Sequence, residues 1–81
     1  MIINLDNIKS LKQGDKIKMI KNSTDTVERK GDILQITNRD DTWNYFINLT
    51  TGAQGKFTND CRFVKEAYLD KIETTNEIIL W

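Results

Sequence analysis

Residues 43–49 read Trp-Asn-Tyr-Phe-Ile-Asn-Leu, the strongest strand signal in the chain, and they are bounded on both sides by turn formers. A seven-residue run of this kind is too short for a stable amphipathic helix and rich in the aromatic side chains that favour a pleated surface. Arg39-Asp40-Asp41-Thr42 precedes it as a turn with local side-chain acceptors, and Thr50-Thr51-Gly52 follows as a tight turn in which Gly52 suits a positive φ. Similar short runs lie on either side. Ile33–Asn38 places Leu34 and Ile36 on one face, and Gln54–Thr58 carries Gly55 inside it as an expected bend or bulge. Arg62-Phe63-Val64-Lys65 reads as a short closing strand. Lys16 to Lys21 alternates so that Ile17 and Met19 face inward while Lys16 and Lys18 face water. Short strands joined by tight turns predict a mainly all-β domain, a small barrel or sandwich.

The flanks read differently. Leu5, Ile8 and Leu11 fall at helical spacing, which predicts a short helix over 6–13 with Asp6 as N-cap and Gly14 as its stop. Asn22 to Lys30 is polar apart from Val27 and reads as a long loop. Glu66 to Glu73 is expected to form one or two helical turns that bring Tyr68, Leu69 and Ile72 together. The chain then finishes on Ile78-Ile79-Leu80-Trp81, an apolar end that must pack against the barrel, a second copy or a partner. This divides the chain into an N-terminal helical extension (1–13), a barrel (14–65) and a C-terminal apolar extension (66–81).

Eighty-one residues make one domain, close to the size at which a single core is only just sufficient. There is no histidine, so the commonest general base is missing, and the lone Cys61 has no histidine with which to form an activated thiolate pair. Adjacent Asp40 and Asp41 belong to a hairpin turn, where neighbouring acids point apart. No spacing suggests zinc, a nucleotide loop or any other cofactor. These observations argue against an enzyme. The single cysteine fits a reducing compartment, and the start of the chain lacks the basic and apolar regions of a secretory signal, so the cytoplasm is the expected location. Formal net charge is zero, with a mildly basic first third and a mildly acidic middle, which is too weak a pole to imply nucleic acid. An excess of Ile, Lys and Asn with no Pro suggests AT-rich codons, and hence a bacteriophage or low-GC bacterial source.

The order Gly31-Asp32-Ile33-Leu34-Gln35-Ile36, then Asp40-Asp41, Trp43, Leu49-Thr50-Thr51-Gly52 and Gln54-Gly55-Lys56-Phe57 resembles the Src-homology-3 family. Phe63-Val64 would stand for that family's final Tyr-Val. The resemblance covers residues 31–65 and implies a small five-stranded barrel. The proline-rich ligand of the eukaryotic members is not carried over, because the early tyrosine motif is replaced by Lys16-Ile17-Lys18-Met19-Ile20 and Thr58 stands where the proline would be. Gly14-Asp15-Lys16-Ile17-Lys18-Met19 is similar to the first strand of prokaryotic and phage barrels, some of which are nucleic-acid or RNA-polymerase-associated modules of the KOW type.

The leading expectation is a non-enzymatic protein-interaction module, a small phage or viral factor that binds and modulates a host bacterial protein as a monomer or dimer. Its binding surface would centre on Trp43, Asp40, Asp41, Tyr45 and Phe63, extended by the loop from Asn22 to Lys30, with Tyr45 and Ile47 on the face of Trp43 and Phe46 on the other. Trp43 would either lie flat on the surface, or fill the core or cover one barrel end. One alternative is a KOW-like nucleic-acid binder using Lys16, Lys18 and Lys21. Another is a structural subunit that assembles through Ile78, Ile79, Leu80 and Trp81.

Overall fold

Alternation of inward apolar and outward polar side chains produces five strands. They are β1 (Lys16–Met19), β2 (Ile33–Arg39), β3 (Trp43–Asn48), β4 (Gln54–Thr58) and β5 (Leu69–Lys71). The computed structural model describes residues 1–73. All pairings are antiparallel, and the single sheet runs in the order β4-β3-β2-β1-β5. The expected mainly-β class is therefore what the chain adopts. Among the described residues no strand pairing joins β4 to β5. No helix among them is long and apolar enough to cross a membrane.

The core is built from one face of each strand. Ile17 and Met19 of β1, Leu34 and Ile36 of β2, Phe46 of β3, Phe57 of β4 and Leu69 of β5 are all buried in one cluster. Outside the strands, Ile3, Ile8 and Leu11 join it from the N-terminal side, and Phe63, Val64 and Tyr68 from the segment between β4 and β5. The core thus extends across residue 14 in one direction and residue 65 in the other. Gly52 takes the positive φ of 83° expected of it in the β3–β4 turn.

Three local expectations are corrected. The helix foreseen over 6–13 is a single 3₁₀ turn, Ile8–Ser10. Asn4 and Asn7 explain why: the Asn4 side-chain oxygen accepts from the backbone N–H groups of Asp6 and Asn7, and that of Asn7 accepts from Asn4 N–H. Such side-chain bonds offer the backbone an alternative to helix. Asp6 caps nothing, and Leu5 is 54% exposed. The strand foreseen at 62–65 is a one-turn helix, α1 (Arg62–Lys65), in which Cys61 C=O accepts from both Val64 and Lys65 N–H. The closing strand is instead β5, in the segment expected to be helical. Ala67 adopts a left-handed φ of 58°, which ends α1 and returns the chain to extended backbone at Leu69.

Gly55 sits in a regular register opposite Phe46, without a bulge. The register shift lies in β2, between Ile36 and Asn38. Gly55 is needed for a different reason, because a Cβ there would lie 2.6 Å from Phe46 Cζ.

Candidate functional site

Strict alternation along β3 puts Trp43, Tyr45 and Ile47 on the outer face, each half-buried, and Asn44, Phe46 and Asn48 inside. Trp43 is therefore a surface aromatic. Two features fix it. Asp40 Oδ1 accepts hydrogen bonds from Thr42 N–H at 2.8 Å and Trp43 N–H at 2.7 Å, which sets the turn that starts the strand. From β4, Lys56 Nζ lies 4.4 Å from the Trp43 ring centroid and 5.9 Å from that of Tyr45, a cation–π contact over the paired aromatics. Tyr45 Oη reaches the other Asp40 oxygen at 3.4 Å.

The charges respond to this arrangement. Backbone N–H donation from Trp43, then Thr42, holds the Asp40 carboxyl below its ordinary range. Tyr45 is pushed up by desolvation and by the neighbouring Asp40 charge. Asp40 is thus committed to the turn, whereas the exposed Asp41 makes no hydrogen bond or ion pair to any described residue.

Beside Trp43 lies a cleft of about 550 Å³. Its walls are the loop segment Asp25–Glu28, the whole of β4, and Cys61–Phe63 at the start of α1. Its floor is aromatic, with Phe46, Phe57 and Phe63 in a row whose ring centroids are 6.0 and 5.8 Å apart. Val27 stands at its edge, 70% exposed, an apolar side chain that the loop presents to solvent. Arg62 holds the loop against α1, donating to Thr24 Oγ1 at 2.7 Å and pairing with Asp25 at 3.4 Å and Glu66 at 3.3 Å.

Glu28 is the unusual member of this wall. It is buried, yet its carboxyl has one donor among the described residues, the Thr26 hydroxyl at 2.6 Å. No lysine or arginine among them lies within ion-pair distance of it. A neighbouring buried acid is handled differently: Asp32 accepts from Asn48 Nδ2 at 2.9 Å and Arg29 N–H at 3.0 Å.

The structure brings together Trp43, Asp40 and Tyr45 as expected, but it moves Phe63. That residue is 6% exposed and packs between Phe57 and Tyr68, so it belongs to the floor of the cleft and not to the outer aromatic face. Lys16 and Lys18 do face outward from β1, which lies between β2 and β5 and is not an edge. Lys21 lies beyond the strand with its Nζ 5.6 Å from the Tyr68 ring centroid. The proposed assembly residues Ile78, Ile79, Leu80 and Trp81 lie outside the described residues. Cys61 is half-buried, and burial raises its thiol pKa. Among the described residues no three His, Cys, Asp or Glu side chains are grouped to hold a metal.

Val27 and Glu28 fall in the loop from Asn22 to Lys30 that the sequence attaches to the binding surface, whereas Lys56 and Arg62 were missed. Val27 alone carried a signal, as the one apolar residue in a polar loop. Compared with protein-family models, with curated proteins and with solved structures, the chain matches none.

Proposed function

We propose that this chain is a protein-interaction module that binds through the cleft beside Trp43. The observation that carries the reading is the exposed Val27 facing an apolar cleft whose rim includes a half-buried, cation-capped tryptophan. An isolated surface valine needs no explanation, but this one lines the same cleft as a tryptophan and three core aromatics. Interfaces centre on such aromatic anchors and surround them with charge, here supplied by Asp25, Lys56 and Arg62. Binding occludes or recruits the partner, with Trp43 as the anchor and Val27 extending the contact. A barrel of the Src-homology-3 kind is the fold we propose for it.

The test is affinity capture from a bacterial lysate with wild type and Trp43→Ala in parallel. The Trp43→Ala variant should stay folded, as judged by amide dispersion in its NMR spectrum, because Trp43 lies on the outer face. A protein retained by wild type should be lost by at least tenfold in the variant. Recovery of nucleic acid alone, released by moderate salt and reduced by Lys16→Ala with Lys18→Ala, would replace this reading by binding through the β1 lysines.

A further inference from the structure

The two edges of the sheet are treated differently. Along β5 runs the N-terminal segment: Ile2 forms a bridge with Asp70, Ile3 N–H donates to Leu69 C=O at 2.8 Å, and Lys71 N–H donates to Met1 C=O at 2.8 Å. Along β4, no described residue plays that part.

The hydrogen-bond phase of β4 follows from its turn. Asn48 N–H donates to Ala53 C=O at 2.6 Å, which makes these two a hydrogen-bonded pair. Alternation along an antiparallel ladder then makes Phe46/Gly55 and Asn44/Phe57 the next such pairs. The backbone groups of Gln54, Lys56 and Thr58 therefore turn away from β3. Of these, the Thr58 C=O is taken by Cys61 N–H at 3.3 Å. Among the described residues the others have no backbone partner, and they run along a cleft that every residue of β4 lines.

We propose that this edge receives an extended strand of a partner protein carrying a lysine or arginine that reaches Glu28. The inference rests on the binding reading above and specifies its mode. Main-chain bonds to Gln54 and Lys56 would supply affinity, and alternate side chains would enter the cleft over Phe57 and Phe63. Glu28 gives the occupant its charge, since it lines the cleft and no lysine or arginine among the described residues forms an ion pair with it. Asp25, on the same wall, already has Arg62 as its partner.

The experiment is an NMR titration of the full chain with the capped peptide acetyl-Thr-Val-Lys-Val-Thr-amide. Two further versions are N-methylated at alternate backbone nitrogens, and another has norleucine in place of lysine. Binding should slow amide exchange at Gln54 and Lys56 at least tenfold, and one of the two N-methylated peptides should fail to bind. Glu28→Gln should weaken the lysine peptide about tenfold and leave the norleucine peptide unchanged. The N-methyl comparison uses the unaltered chain, so it decides the edge even where Glu28→Gln does not fold. Gln54 and Lys56 amides already protected in the free chain would overturn the proposal, by showing the edge occupied by the chain itself or a second copy. Equal binding of both N-methylated peptides, or no binding by any peptide, would overturn it as well. Neither result bears on the Trp43→Ala capture, which tests the binding reading separately.

Discussion

A methyl group at position 55 would lie 2.6, 3.0 and 3.2 Å from three atoms of the Phe46 ring. That ring is buried and packed against Phe57, so it has little room to retreat. Gly55→Ala should therefore destabilise the fold by about 1–3 kcal/mol through overpacking, read as a lower urea midpoint with an unchanged slope. Asp32 makes a different kind of prediction. Arg29 N–H and then the Asn48 amide favour its charged form more than burial opposes it, so its folded pKa lies below the ordinary 3.8. With the folded value depressed, the unfolded chain binds more protons in acid. The stabilisation is fully present above the unfolded value and is lost as pH falls through the folded one. Urea unfolding measured from pH 5 down to pH 2 should show this loss, and Asp32→Asn should make the decline shallower.

Between α1 and β5 the direction of the chain depends on one residue. Ala67 occupies left-handed backbone at φ 58°, a conformation that costs an L-residue about 1–2 kcal/mol. Ala67→Gly should raise stability by up to about 1 kcal/mol, because relief of strain outweighs the extra freedom of glycine when unfolded. Ala67→Val should lower it, and thermal melts of the pair provide the check. This joint also explains where the sequence could be read and where it could not. In β1 to β4 the period-two pattern is local, so the alternation of Ile17/Met19, Leu34/Ile36 and Trp43/Tyr45/Ile47 carried the strands and set Trp43 opposite Phe46, but alternation alone does not say which of the two faces is the outer one. Arg62-Phe63-Val64-Lys65 fits a strand or a single helical turn equally well. Its state is decided by the bonds from Cys61 C=O and by Leu69–Lys71 taking the place beside β1. The cleft was still harder to foresee. Val27, Glu28, Lys56 and Arg62 come together only because a long loop folds across β4 and α1, and nothing in their spacing encodes that approach.

At the scale of the whole molecule, a single core reaches from Ile3 to Leu69. Ile3 is fully buried, and its N–H donates to Leu69 C=O on the side of β5 away from β1. Arg39 ties the same segment down from the other end, donating to the carbonyls of Lys9 and Leu11 while its Nε bonds Asn44 Oδ1 at 2.6 Å. Ile3→Ala should cost about 2–5 kcal/mol, a large share of the roughly 4–12 kcal/mol that a chain of this length commands. Calorimetry should show that loss as one cooperative transition at lower temperature. The β1–β5 pairing has a consequence for biosynthesis. Ile17 is matched to Lys71, whereas β2, β3 and β4 are joined to one another by short turns. On the ribosome the three-stranded meander has all its parts early, but β1 must wait with one side bare until Leu69–Lys71 has been made. Until then the growing chain has two unfilled edges, and anything that captures a strand, a chaperone included, can reach it from either.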